Sequence, residues 1–447
     1  MSVDAWRQVR LGDLIAIKHG WPFKSDQFSP DLTGKPIVVS IGNFRYTGGF
    51  RFESTQVKEY RGEYPAEFEL VGGDILLVMT CQTEGGEILG IPARVPNDGR
   101  TYLHNQRMGK VVVKRPDLAD SDFLYWLFLW PEFNQELVAS ASGTKILHTA
   151  PVRIEAFSFR LPPRDEQRAV ARLLCALDDK IRLNQRMNRT LDALGWAVFK
   201  SWFVDFDPVV AKAAGGRPFG MSPALAALFP TEFAESDGGA VPRGWRLVPF
   251  SGLVDIVGGG TPKTAVPEYW GGNVPWFSVV DTPDPGDVFV LNTEKTITER
   301  GLNESAATLL NEGTTIITAR GTVGNVALAG RPMAMNQSCY GLTGRRGLGP
   351  YFVYYATVDA IEELLQRTHG SVFDTITRAA FDGIPVVEPP LPIAQAFDEQ
   401  VSPLLSRIKA NLKDSRTLTQ LRTILLPQLL SGEIRIGRAE KLLEQAV

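Results

Sequence analysis

The sequence predicts an α/β (α+β) chain with two globular mixed domains in pseudo-twofold arrangement, separated by two long antiparallel coiled-coil helices. Three observations predict it. A long helical stretch occurs twice; each copy follows a region of short strand-like runs; and those two regions share local matches in the same order. The first helical copy, PPRDEQRAVARLLCALDDKIRLNQRMNRTLDAL from Pro162, returns as PPLPIAQAFDEQVSPLLSRIKANLKDSRTLTQL from Pro389, at an offset of 227. Val170, Leu174, Leu177, Ile181, Leu191 and Val198 advance by fours and threes, the spacing of a coiled-coil seam. Their counterparts are Phe397, Val401, Leu404, Ile408, Leu418 and Leu425. Each copy is about 35 residues, so roughly 50 Å of helix. A stripe that long has too little domain around it, so each is expected to pack on the other. Asn184 and Asn411 hold equivalent seam positions, and Asn188 matches Ser415. A polar seam residue costs stability and fixes register.

Composition bounds the classes. The 447 residues allow several domains, and 44% hydrophobic with 22% charged residues is ordinary for a soluble globular protein. No apolar run reaches membrane length, and MSVDAWRQVRLGDL has no signal-peptide pattern. Cys81, Cys175 and Cys339 are far apart, which suits a reducing cytoplasm, and His19, His104, His148 and His369 form no ligand cluster. The net charge of −3 argues mildly against nucleic acid as a partner, but bulk charge says nothing of a local face. The second helix and its tail are locally basic, at Arg407, Lys409, Lys413, Arg416, Arg422, Arg435 and Arg438.

In chain order, GWPFKSDQF, PIVVSIGNF and RYTGGF read as strands and loops. Residues 72–79 and 109–114 read as strands, the first following a tight turn, and 121–141 as a helix or helix pair with a core aromatic face. The Gly-, Pro-, Ala- and Ser-rich stretch after the first long helix reads as a connector. The second half then repeats the first. WRQVRLGDL at 6–14 matches WRLVPFSGL at 245–253, GGDIL at 72–76 matches EGTTI at 312–316, and Asn105-Gln106 matches Asn336-Gln337. SGTK at 142–145 matches HGSV at 369–372. The offset drifts from about 240 to 227, so insertions fall in the globular parts. The expected boundaries are 1–162 and 243–390 for the globular domains, 163–204 and 391–432 for the helices, 205–242 for the linker and 433–447 for a tail.

The motifs of several enzyme classes are missing: no GxxxxGK, no Asn/Asp-Pro-Pro-aromatic motif, no HExxH and no Cys/His nucleophile arrangement. The GGG at 258–260 lacks nucleotide-loop spacing. Asp205 and Asp207 read as loop capping, and DDK at 178–180 as a solvated helix face. No metal site and no cofactor of its own is expected. Two matched halves without a catalytic constellation read as a binder with two sites.

At this point the motifs resemble a family. GGGTPKTAVPEYWGGNVPWFSVVD at 258–281, TARGTVGNVAL at 318–328 and MNQSCYGL at 335–342 are similar to the target recognition domain of Type I restriction–modification specificity subunits. GWPFKSDQF with PIVVSIGNF resembles another variant of that domain. LPPRDEQRAV at 161–170, SWFVDFDPVVAK at 201–212 and LLPQLLSGEIRI at 425–436 resemble the family's conserved segments. The resemblance covers nearly the whole chain. It implies two target recognition domains, each reading one half of a bipartite site in double-stranded DNA. It further implies helices that set the spacer and dock two methyltransferase (modification) subunits, and restriction (translocase-nuclease) subunits that join them. Catalysis and S-adenosylmethionine binding would lie with those partners, and no membrane is involved. The sequence departs from the pattern at LLVMTCQTEGGEILG (76–90), opposite IITARGTVGNVALA, and at PIAQ (392–395), opposite RDEQ.

The loop residues expected to contact DNA are Lys24, Arg45, Tyr46, Thr80 and Gln82 in the first half. In the second they are Thr261, Lys263, Tyr269, Trp270, Arg320, Thr322 and Asn325. For each the competing role is a fold-holding turn or a core aromatic. A duplicated coiled-coil adaptor that never touches DNA is the alternative function.

Overall fold

The structure is a computed structural model describing residues 6–31, 33–50, 57–83, 85–143, 145–236, 239–368 and 375–446. Thr144 and the segment 369–372, half of one expected repeat match, lie outside the described residues. The chain divides into two compact units, Met1–Lys180 with Thr417–Val447, and Ile181–Arg416. The division falls inside both long helices, Arg164–Phe203 and Leu391–Ser431.

In the first unit, strand Arg7–Arg10 pairs antiparallel with Ser158–Leu161, the strand that leads into the first long helix. The main sheet orders Ile15–His19, Met108–Val113, Ile75–Val78 and Pro92–Arg94, antiparallel throughout. Ile75–Val78 is apolar at every position because both faces are covered, and Gly73 before it adopts φ +92°, a left-handed turn that favours glycine. A side sheet of five short strands leans on the same core. Helices Ser121–Leu127 and Pro131–Ala139 bury Phe123, Tyr125, Trp126 and Phe133, so the aromatic face is core, as expected.

The second unit repeats this plan. Arg246–Pro249 pairs antiparallel with Pro385–Glu388 beside the second long helix. The main sheet orders Val254–Gly258, Cys339–Gly344, Thr315–Thr318 and Val326–Ala329, with Phe289–Val290 added in parallel. Helix Pro350–Thr368 stands where the first unit has two helices, and the side sheet has three strands, not five.

Within each unit the long helices run antiparallel. In the first, Asp178 pairs with Arg422, and Glu166 with Arg435 just past the end of the second long helix; in the second, Phe199 meets Phe397 at 5.6 Å. Val170, Leu174, Leu177, Phe397, Val401, Ile408 and Leu425 are buried, while Leu191 and Val198 are half-buried. Two details correct the sequence reading. Leu405, not Leu404, is the fully buried residue of its turn, and Asp178 is no solvated face but is largely enclosed with Arg422. Asn184 and Asn411 are fully buried. Asn184 Nδ2 donates to Asn411 O (3.3 Å) and to Ser415 Oγ (3.2 Å), and Asn411 Nδ2 donates to Asn188 Oδ1 (2.8 Å). The Asn184–Ser415 and Asn411–Asn188 bonds exchange under the 227-residue offset, so the repeat is written into the packing and not only the sequence.

The stretch read as a connector is folded. It holds helices Asp207–Ala213 and Pro223–Leu228 and the hairpin Phe233–Ser236/Gly239–Pro242. Two of its phenylalanines supply adhesion, Phe229 lying edge-on to Trp202 at 5.2 Å and Phe206 to Trp245 at 5.7 Å, while Phe219 is fully exposed. Asp205 accepts from Lys200 Nζ at 2.7 Å, and Asp207 opens its helix, where a carboxylate suits the N-terminal dipole. No helix among the described residues is long and apolar enough to cross a membrane.

Candidate nucleic-acid interface

In an antiparallel sheet, alternate strands begin and end at the same edge. In the second unit this edge gathers the turn after Gly258, the loop before Cys339 and the hairpin between Thr318 and Val326. Those three loops carry Thr261 and Lys263, Asn336 to Ser338, and Arg320, Thr322 and Asn325. Ala319 N donates to Ser338 O at 2.7 Å and Gly260 N to Met335 O at 2.9 Å, so the middle loop is held on both sides. Thr261 Oγ1 donates to Gln337 Oε1.

Lys263, Arg320 and Thr322 are exposed. Asn325 is half-buried and braces its hairpin: its N–H donates to Thr318 Oγ1 (3.0 Å) and its carbonyl accepts from Thr318 N (2.9 Å). Tyr269 is buried, its hydroxyl donating to Glu304 at 2.8 Å, a bond that raises its pKa, and Arg300 lies 5.8 Å above the ring. Trp270 is half-buried, edge-on to Trp276 at 5.1 Å, and donates its indole N–H to Lys263 O at 3.3 Å. The aromatic pair thus supports the loop that presents Lys263.

The first unit builds the same edge from the ends of Ile15–His19 and Ile75–Val78 and the starts of Met108–Val113 and Pro92–Arg94. Lys24 and Gln82 are exposed there. Thr80 is buried and its hydroxyl lies 3.0 Å from His148 Nδ1, in the short ribbon Thr80–Cys81/Leu147–His148. Arg45 and Tyr46 sit on a turn closed by Gly48 N to Arg45 O (2.9 Å) and tied to the edge by Gly49 N to Pro92 O (3.0 Å). Tyr46 is over half exposed (54%), whereas Arg45 Nε is buried without a hydrogen-bond partner among the described residues. His104, just before the middle loop, is buried and its Nε2 lies 2.8 Å from Met108 O. Burial pushes its pKa down to about 4, so the ring is neutral and donates to that carbonyl.

Each edge is therefore a ridge of exposed amides, hydroxyls and cations on a rigid sheet, able to donate and accept at once. Such chemistry suits base edges and phosphates. Among the described residues no group of His, Cys, Asp and Glu could hold a metal ion.

Comparison with known proteins decides the family. The family described as Type I restriction modification DNA specificity domain matches residues 4–193 and 242–418. The chain belongs to this family. The Type I restriction enzyme HindI specificity subunit of Haemophilus influenzae is 25% identical over 473 aligned positions, spanning 96% of this chain and 99% of its own. The putative type I restriction enzyme MjaX specificity subunit of Methanocaldococcus jannaschii is 20% identical, spanning 97% and 94%. A crystal structure of the Type-I restriction-modification system S subunit from M. genitalium aligns with a TM-score of 0.55 at 15% identity, covering 95% of this chain and 96% of its own. At that identity the likeness speaks for the fold.

Of the residues the sequence singles out, the second specificity domain brings Thr261, Arg320, Thr322 and Asn325 to one edge, with Lys263 beside them. The first brings Lys24, Thr80 and Gln82 to one edge, with the Arg45–Tyr46 turn tied to it. Gln106 and Gln337, exposed at the centre of each edge, are not among them. The signal was present: Asn-Gln is one of the pairs repeated between the halves.

Proposed function

We propose that this chain reads DNA sequence for a type I restriction–modification complex, each specificity domain reading one half of a bipartite target in duplex DNA. The observation that carries it is the duplicated loop edge: one chain holds two polar ridges on equivalent sheets, with different residues on the frame. Lys24, Tyr46, Gln82, Lys263, Arg320 and Thr322 contact the duplex, with Arg45 behind Tyr46; Thr80, Thr261, Tyr269, Trp270 and Asn325 shape the loops. The paired long helices fix the unread spacer and dock two methyltransferase subunits, to which restriction subunits add. Methyl transfer, S-adenosylmethionine binding and cleavage belong to those partners, and the complex acts in the cytoplasm. The buried Asn184–Asn411 pairing supports the spacer role, because polar seam residues resist slippage.

The test is methylation mapping of genomic DNA with the chain and its partner methyltransferase, together with duplex binding at several salt concentrations. The expected result is two short specified segments separated by a constant unspecified spacer, with affinity falling as salt rises. A single continuous motif, or no duplex binding with or without the methyltransferase, would overturn the reading.

A further inference from the structure

The central loop is the part of the edge where the two domains share a set of four matched hydrogen bonds. Arg107 N donates to Asn105 Oδ1 at 3.0 Å, and Ser338 N to Asn336 Oδ1 at 3.0 Å. Met108 N donates to Asn105 O (2.9 Å), and Cys339 N to Asn336 O (3.2 Å). Met79 N donates to Arg107 O (2.9 Å) where Ala319 N donates to Ser338 O (2.7 Å). Trp21 N donates to His104 O (2.7 Å) where Gly260 N donates to Met335 O (2.9 Å). A Cβ on Gly20 would lie 2.3 Å from Asn105 O, and one on Gly259 would lie 1.9 Å from Asn336 O, so both loops are pressed against a glycine. The asparagine in each is consumed by holding the turn, and the glutamine beside it is thrust outward.

Around this frame the domains diverge. By the 240-residue offset of the preceding strands, Thr80 stands where Arg320 does, and the hairpins after them share little. If the domains read two different half-sites, what differs between them carries the sequence information. What they hold in common must bind something both half-sites share, which is the sugar–phosphate backbone. A carboxamide suits this, since its NH2 donates to a phosphate oxygen without regard to the base. In the second domain Thr261 occupies Gln337 Oε1 and leaves the amide N–H groups to donate outward.

We propose that Gln106 and Gln337 are paired backbone clamps, each donating to a DNA phosphate and setting its domain's register on the duplex without reading sequence. This rests on the DNA-reading function proposed above. The experiment uses the full chain in complex with its methyltransferase, on the mapped target duplex and on a scrambled duplex of equal length. Gln337→Ala and Gln106→Ala should each weaken binding to both duplexes by the same factor, about 2- to 10-fold, and the double variant by the product. The methylated sequence should not change. In a scan of single methylphosphonate substitutions, one phosphate in each half-site should matter for the parent and cease to matter in the matching variant. Loss on the target alone, a relaxed base preference, or no loss in a folded variant would overturn the proposal. A parent complex that fails to bind any duplex would instead overturn the underlying function, so the two failures are distinguishable.

Discussion

At the root of the first long helix the anchor is Gln167; at the root of the second it is Asp398. Gln167 is fully buried and neutral. It accepts from Asp120 N at 2.9 Å and donates to Leu118 O (2.9 Å) and Pro162 O (2.8 Å), joining the helix to the residue that caps Ser121–Leu127. Asp398 does the equivalent work for Pro350–Thr368 by accepting from Phe352 N (2.7 Å) and Tyr351 N (3.3 Å). Gly349 lets the carboxylate come close: a Cβ there would lie 1.9 Å from Asp398 Oδ2, and the carboxylate would have to move off its two N–H donors. Burial pushes Asp398 up to about 6, against those two hydrogen bonds. A helix-root joint is thus made once with an amide indifferent to pH and once with a carboxylate that titrates. The two anchors are not repeat equivalents: under the 227-residue offset Gln167 matches Ala394 and Asp398 matches Ala171, so the second half sets its anchor one turn further along the helix.

The largest expected effect tests the neutral anchor. Gln167→Ala strands one buried N–H and two carbonyls, and should cost about 2–4 kcal/mol in denaturant unfolding of the first unit. A loss of well under about 1 kcal/mol would mean water replaces the amide and the joint is not specific.

Next comes the divergent loop position. Arg320→Ala should weaken target binding by about 1–3 kcal/mol if the guanidinium reads a base, and relax specificity only in the half-site of the second domain. Thr80→Val, at the equivalent position, should act on folding through the lost His148 contact by about 1 kcal/mol and leave base preference alone. Equal effects on DNA from both would erase the distinction.

The smallest effect is in pH. His104 has a folded pKa below its ordinary value, so its contribution is complete above about pH 6.5 and is lost as pH falls toward 4. Asp398 has one above its ordinary value, so its contribution is complete below about pH 3.8 and is lost as pH rises through 6. Lowering the pH from 7 to 5 should therefore loosen the strand Met108–Val113 and tighten the root of Pro350–Thr368. Hydrogen exchange on peptides from both regions reads this. Asp398→Asn should flatten the second trend; movement of both regions in one direction would contradict the assignment.

The long helices were legible because their apolar spacing is periodic and occurs twice. The main sheets were legible at GGDIL and EGTTI, where a turn glycine precedes a fully buried strand. Less visible was anything set by non-local pairing. The side sheets, five strands against three, use two- and three-residue strands whose partners lie far along the chain. The folding of 205–242 was masked by its small residues: three of its four phenylalanines, Phe206, Phe229 and Phe233, find aromatic neighbours, and Phe219 stays exposed. Leu404 and Leu405 are adjacent, and only the partner helix decides which is enclosed. At the edges, the hairpin cations were findable by residue type. Gln106 and Gln337 are not legible as site residues in the sequence, because an amide has no chemical signature until its neighbouring asparagine holds the turn.

If the proposed function holds, the two domains read independently of each other. Residues 243–390 should be exchanged for the corresponding segment of a relative with another target, and methylation mapped with the same methyltransferase. One half-site should change while the other half-site and the spacer stay as they were. A change in both half-sites, or in neither, would contradict it.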